Sequence, residues 1–432
     1  MTKEVKYGAV LKDKEYRKLL FTNLINRFGD SIDSIAFTWL VYQITHSASW
    51  AALIFVLNVL PNIIVQPLFG PIVERLNKKR IIVFTHFARG IVISAFAMMY
   101  LAGVLNPYIM AGFTLLITTI ESLNLPASSA FVPQVISKEK LSHAMSLNSS
   151  LSSVVALVGT GIAGVIIAKY GVQTAMIIDV ATFFAAAIGT LTIKPLNQEN
   201  EVSLLHENKE TPADKKESYI SQLKDGITYV TGNKVLINYG IMVIFINFLL
   251  VPLNSLQAPI AEDVFGLRSG LLSVMGMAAS LGGILGSVIT PMVIDKISAK
   301  RTLISCGVTM GSFLYALSLG RFLHGLAIPG MILATVCYFM MAFAASLLGG
   351  TVMIQFVKTC RKDYLARASA VMGATSTAAM PLGSIIVSFA AMHMSPAVLI
   401  EVCGIMAVLF MIAIGFSNMD FELVKKETVD AT

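Results

Sequence analysis

The chain has 432 residues, of which 56% are hydrophobic and 13% charged, with a net charge of +7 and a mean hydropathy of +0.75. A soluble domain carries about 45–50% apolar and about 25% charged residues, so a water-soluble enzyme and a single-span receptor are excluded. An outer-membrane barrel is excluded too, because its strands alternate apolar and polar residues instead of forming long apolar runs.

At about 20 residues per spanning helix, the length predicts roughly ten to twelve spans, and twelve apolar runs are counted. The first covers 17–43. It follows a basic stretch, as a signal peptide would, but Arg27, Asp30 and Asp33 interrupt it and no small-residue cleavage site follows, so it reads as a retained helix. Asn23, Asn26, Arg27, Asp30, Asp33 and Ser34 recur at three-to-four-residue spacing along one stripe. Asp30 lies roughly 17 Å along the helix, near mid-membrane. Two carboxylates and a guanidinium cannot face lipid, since each costs at least about 2.5–3.5 kcal/mol there. Two roles stay open: a structural pairing of Arg27 with Asp30 or Asp33, and binding of substrate or protons.

Spans 2 to 6 are predicted over 49–73, 80–103, 107–135, 141–168 and 172–193. Arg89 falls inside span 3. Glu121 sits near the middle of span 4 with no Lys or Arg within a turn, which makes Arg89 its nearest unassigned cation by topology. An acid so placed suits either a proton carrier or a carboxyl bonded to a neighbouring helix. Asp179 opens span 6 as a structural acid. The polar stretch 195–218 is a linker by composition, and 219–229 fits a short amphipathic helix.

Spans 7 to 12 are predicted over 233–257, 269–294, 301–320, 326–357, 365–392 and 396–417. Asn247, Asn254 and Gln257 give span 7 a polar face and are candidates for a substrate cavity. Glu401 lies five residues into span 12, near the outer surface, and reads as structural. Cys306, Cys337, Cys360 and Cys403 contain no CxxC pair and lie in or beside apolar runs, as packing residues. No metal-ligand spacing, Walker loop or grouped nucleophile, histidine and acid is found.

Lys and Arg retained in cytoplasmic loops set orientation. With the N-terminus inside, cytoplasmic segments hold 27 of the 32 basic residues and outer loops hold three, Lys169, Arg268 and Arg321. Membrane orientation thus accounts for the positive charge, and no nucleic-acid partner is required. The halves also echo each other. Glu74-Arg75 followed by Lys79-Arg80 matches Asp295-Lys296 followed by Lys300-Arg301 at an offset of 221, and Leu141–Leu147 matches Leu365–Val371 at an offset of 224. This is a parallel six-plus-six repeat, dividing the chain into bundles at 1–194 and 219–432 joined by a cytoplasmic linker at 195–218.

The loop Gly70-Pro71-Ile72-Val73-Glu74-Arg75-Leu76-Asn77-Lys78-Lys79-Arg80 resembles the signature between helices 2 and 3 of the major facilitator superfamily, with Glu74 for the usual Asp and Asn77 for the usual Gly. Gly29-Asp30, Leu60-Pro61, Pro126-Ala127 to Val132-Pro133, Asp363-Tyr364-Leu365-Ala366-Arg367 and Met380-Pro381-Leu382-Gly383 resemble the drug-efflux branch that includes the macrolide efflux proteins. Two places depart from the antiporter pattern. Ile117 stands where many drug antiporters carry Arg, and Gly159-Thr160-Gly161-Ile162-Ala163-Gly164 has Thr160 where Pro is typical.

The resemblance implies twelve transmembrane helices in two six-helix bundles and a non-enzymatic efflux carrier in the cell inner membrane, both termini cytoplasmic. Export of an amphiphilic small molecule by proton antiport is expected, from a monomer without cofactor or metal. Arg27, Asp30, Asp33, Arg89, Glu121, Asn247, Asn254 and Gln257 are the candidates for coupling and substrate. Gly70, Glu74, Arg75, Lys79 and Arg80, with Asp295, Lys300 and Arg301 from the repeat, are the candidates for gating. Glu74 is expected to accept hydrogen bonds at the N-terminus of helix 11, where the macrodipole favours an anion. The same fold carrying a siderophore, lysophospholipid or other metabolite is the alternative cargo; a multispan membrane enzyme or sensor is disfavoured by the short loops.

Overall fold

The computed structural model describes residues 10–196, 225, 227–294, 296–361, 364–417 and 419–421; the side chains of 66–75, 138, 142, 365–367 and 370 lie outside that description. Twelve long helices are present among the described residues: α1 Lys14–Thr45, α2 Ala48–Arg75, α3 Lys78–Leu101, α4 Pro107–Val135, α5 Lys138–Tyr170, α6 Val172–Leu191, α7 Lys234–Leu249, α8 Ser269–Ile294, α9 Ala299–Ser318, α10 Ala327–Thr359, α11 Leu365–Ala390 and α12 Pro396–Phe416. Eleven of them are long and apolar enough to cross a bilayer. The exception, α1, carries Arg27, Asp30 and Asp33 along its middle.

Local chemistry explains the helix ends. Asp13 caps α1, accepting from the N–H groups of Glu15 and Tyr16 at 3.2 Å. Asn77, the departure from the signature glycine, caps α3 by accepting from the Arg80 N–H at 3.0 Å. Asn106 and Pro107 open α4 as cap and first-turn proline.

Span 7 is not the single helix expected over 233–257. α7 stops at Leu249, resumes as Val251–Ser255, breaks at Leu256 and passes through Gln257–Pro259 into a π-helical turn at Ile260–Val264. Pro252 and Pro259 lack the N–H that an uninterrupted helix needs and crowd the carbonyl four residues back.

The chain divides into two compact units, residues 1–214 with 256–277, and residues 215–255 with 278–432. In the first, α3 packs on α6 and α4, and α1 on α5 and α6. Its core centres on Tyr16, Leu20, Ile82, Phe131, Val135 and Ile193. Residues 256–277 belong here because small side chains on α5 admit them: a Cβ on Gly161 would overlap the Met277 sulfur, and one on Gly164 the Ser273 hydroxyl. The Tyr42 hydroxyl also donates to Asp263 Oδ1 at 2.5 Å.

In the second unit, α9 packs on α12 and α10, and α7 on α11. These are the pairings of the first unit shifted by six helices, as the internal repeat requires. Its core centres on Tyr239, Met242, Leu303, Met310, Leu348 and Met411. Each unit also buries a tyrosine from its first helix, with a different acceptor in each. The buried Tyr16 hydroxyl donates to the Ala144 carbonyl at 2.6 Å, and the buried Tyr239 hydroxyl donates to the Phe421 carbonyl. Cys306, Cys337 and Cys360 are free and buried.

Candidate functional site

The charged centre lies within the first unit, and Arg89 is its hub. Asp30 on α1, Arg89 on α3 and Glu121 on α4 each stand near the midpoint of helices of 32, 24 and 29 residues. Their side chains therefore meet at one depth, halfway along the bundle. Arg89 Nη2 donates to Asp30 Oδ1 at 3.1 Å and lies 3.8 Å from Glu121 Oε2. Asn26, one turn before Asp30, donates to its other oxygen at 2.8 Å. The guanidinium carbon lies 4.2 Å from the centre of the Phe183 ring on α6, a cation–π contact strengthened by desolvation.

Exposure is graded across the trio: 6% for the Arg89 side chain, 21% for Asp30 and 40% for Glu121. Glu121 is the most exposed of the three, while the cation beside it is enclosed.

Two further acids share the field of Arg89, Asp33 on α1 and Asp179 on α6. Asp179 is fully buried, and neither carboxylate oxygen has a hydrogen-bond partner among the described residues. The Thr182 hydroxyl beside it donates instead to the Asp179 backbone carbonyl at 2.7 Å. Gly29 lets α1 come this close, for a Cβ there would lie 2.8 Å from Asp179 Oδ1. His86, one turn from Arg89, is buried with its Nδ1 unpartnered among the described residues, its ring 6.3 Å from Phe183. The site thus sets two carboxyl groups against one enclosed guanidinium, with Asp33 and Asp179 in its wider field. Such an imbalance is relieved by protons or by another cation.

The expected pairing of Arg27 with Asp30 or Asp33 is not what the structure contains. Arg27 is exposed and Asp30 is held by Arg89, because α3 presents Arg89 to the polar stripe of α1 while Arg27 lies on the helix edge. The partner expected by topology for Glu121 is the one found. Among the acids read as structural, Glu401 is paired with Arg321 at 2.7 Å. Asp179, by contrast, belongs to the hub. Its four-residue spacing to Phe183, the ring under Arg89, was the available sequence signal.

Asn247 lies in the second unit, where its Nδ2 donates to Ser376 Oγ on α11 at 2.8 Å. Asn254 also lies in that unit, whereas Gln257 falls in the first, so the polar face expected on one helix is divided by the break at Leu256.

The signature-loop lysines act as helix staples. Lys79 Nζ donates to the carbonyls of Leu191 and Ile193 at 2.8 Å, closing the end of α6. Lys300, its counterpart at the repeat offset, donates to the carbonyl of Ser417 at 2.6 Å, closing the end of α12. A cation at a helix C-terminus satisfies orphan carbonyls and the macrodipole together. Arg80 and Arg301 are exposed. The side chains of Gly70, Glu74 and Arg75 and the whole of Asp295 lie outside the described residues.

The fold and family are shown by comparison with known proteins. The chain is 23% identical to macrolide efflux protein A of Streptococcus pyogenes over 368 residues, 84% of this chain and 85% of that protein. It is likewise 23% identical to the multidrug efflux pump Tap of Mycolicibacterium fortuitum over 375 residues, 85% of this chain and 87% of the pump. In fold it is similar to the nucleoside transporter NupG, with a TM-score of 0.73 at 11% identity, covering 93% of this chain and 98% of that one. It is similar also to a bacterial homologue of the iron transporter ferroportin in an inward-facing state, with a TM-score of 0.68 at 12% identity, covering 94% and 99%. The family model of the Major Facilitator Superfamily matches residues 19–384, and with that match, the repeat and the twelve helices, the chain belongs to the major facilitator superfamily of membrane transporters.

Proposed function

We propose that this transporter exports amphiphilic small molecules in exchange for protons, with the Arg89 hub as the proton-coupling site. The observation that carries the reading is the sharing of one enclosed guanidinium between Asp30 at 3.1 Å and Glu121 at 3.8 Å. A proton added to Glu121 removes its charge from Arg89 and leaves Asp30 as the carboxylate in contact with the guanidinium. Removal of the proton restores the competition. A shift between two arrangements then follows from differential interaction with the two protonation states. The 23% identical efflux relatives support the direction of transport and the amphiphilic cargo.

The test is pH-gradient-driven uptake into inverted membrane vesicles. Asp30→Asn and Glu121→Gln preserve shape while removing charge, and at least one of them is expected to abolish uptake with the protein still inserted. Full gradient-driven transport by both would place the proton site elsewhere.

The charge bias of the loops supports an orientation with both termini and the segment 195–218 on the cytoplasmic side. A cysteine introduced at Asn208 is therefore expected to resist a membrane-impermeant thiol reagent in intact cells and to react once the cells are opened. Efficient labelling from outside would reverse the orientation.

A further inference from the structure

Where α1 begins and α6 ends, at one end of the first unit, a groove of about 450 Å³ lies between the two helices. The Lys18 ammonium donates to the Thr192 carbonyl at 2.9 Å, tying the start of one helix to the end of the other. One turn further along, Gly189 lets them close, for a Cβ there would lie 2.5 Å from Thr22 Oγ1. The wall of the groove changes character along α1. Its start contributes Lys14, Arg17 and Lys18, and the following turns contribute Phe21 and Ile25 on the same face. At 1.5 Å per residue, Phe21 lies about 4.5 Å beyond Lys18 and Ile25 about 10.5 Å beyond it.

Positive charge is left over at the basic end. Lys18 is paired with Glu15 at 2.8 Å, and Asp13 accepts from two N–H groups as the cap of α1. Lys14 and Arg17 are exposed and form no ion pair among the described residues. Glu15 and Thr192 engage two of the three Lys18 N–H groups, so one donor remains beside those cations. Beyond them Phe21 is 64% exposed and Ile25 38%. The internal repeat does not require this pattern. At any offset from 221 to 224, the positions matching 14–18 fall within 235–242, a stretch with no basic residue.

We propose that this groove binds one anionic phospholipid, its phosphate held by Lys14, Arg17 and the remaining Lys18 donor and one acyl chain laid along Phe21 and Ile25. The planar fork of Arg17 suits a phosphate, and basic residues at the membrane surface attract anionic headgroups. A free anion would answer the cations and leave the apolar strip bare. A zwitterionic lipid would bring its own ammonium beside two unpaired cations. Basic residues that served only as an orientation signal would need no groove. Such a site is independent of what the protein transports and of the ion that drives it.

The test uses the full chain in phosphatidylcholine nanodiscs with a trace of phosphatidylglycerol that carries a diazirine in one acyl chain. Phosphatidylcholine is in large excess there, so labelling displaced by unlabelled phosphatidylglycerol reports preference for the anionic headgroup. Displaceable labelling is expected on the peptides carrying Phe21 and Ile25, and soluble glycerol phosphate should not compete. Lys14→Gln with Arg17→Gln should lower it about tenfold or more, the equivalent of at least about 1.4 kcal/mol. Lys14→Arg with Arg17→Lys keeps the charge and should stay within about threefold, roughly half that energy. Removing the same charge from the second unit, by Lys296→Gln with Arg301→Gln, both exposed, should leave labelling within about twofold. Displaceable labelling mapped away from α1 and α6 would overturn the site, as would indifference to the first glutamine pair or an equal loss in the second. Competition by glycerol phosphate as effective as that by the lipid would overturn the lipid assignment. Mapping on the unmutated protein needs no variant to fold.

Discussion

Arg89→Leu is expected to destabilise the protein by about 3–5 kcal/mol, the range for removing one partner of a buried charge pair. The reason is the company Arg89 leaves behind. Asp30 loses its 3.1 Å partner, Glu121 its 3.8 Å neighbour, and Asp33 and Asp179 an enclosed cation whose field they share. Neutralising the stranded acids tests whether charge or shape is responsible. The triple variant Arg89→Leu, Asp30→Asn, Glu121→Gln should recover part of the loss, because an apolar or neutral replacement of a whole buried network is far less costly than its half-removal. Thermal unfolding in detergent is the measurement. An unchanged midpoint for Arg89→Leu would show that the hub contributes nothing to stability.

The second large effect is expected on α8. Gly282 and Gly286 are spaced by four residues, and a Cβ on either would run into the backbone carbonyl of α10, at Phe339 for the first and Phe343 for the second. This is the close helix approach that small-xxx-small spacing permits in membranes. Gly282→Ala and Gly286→Ala should each cost about 1–3 kcal/mol by forcing the helices apart, as overpacking does. Gly283 lies between them with nothing within 4 Å of its position, and Gly283→Ala should be neutral or stabilising by up to about 1 kcal/mol. A shared response of all three to alanine would reduce the effect to a general property of the helix.

These cases show what the sequence carries and what it withholds. Helix boundaries are written locally, in caps and prolines, so α4 at Pro107–Val135 and α8 at Ser269–Ile294 fall where the apolar runs place them. The break after Leu249 is written locally too, in Pro252 and Pro259, but a hydropathy run passes over prolines without registering them. Neighbours are a different matter. Periodicity puts Asp30 on the stripe that also holds Arg27, yet the rotation of α3 against α1 decides that Arg89 is the partner. Lys79 reads as a basic loop residue, because its bond to Ile193 joins residues 114 apart. Only the folded bundle reveals it as a cap.

The lysine staples carry a consequence for synthesis. Lys79 reaches a carbonyl 114 residues later and Lys300 one 117 residues later. At an elongation rate of about 5–20 residues per second, each lysine waits roughly 6 to 23 seconds for its acceptor. During that interval its ammonium is available to anionic headgroups, worth about 1 kcal/mol per basic residue near the surface. Each staple can close only once the last helix of its bundle has been made, so each half is sealed by the arrival of its sixth helix.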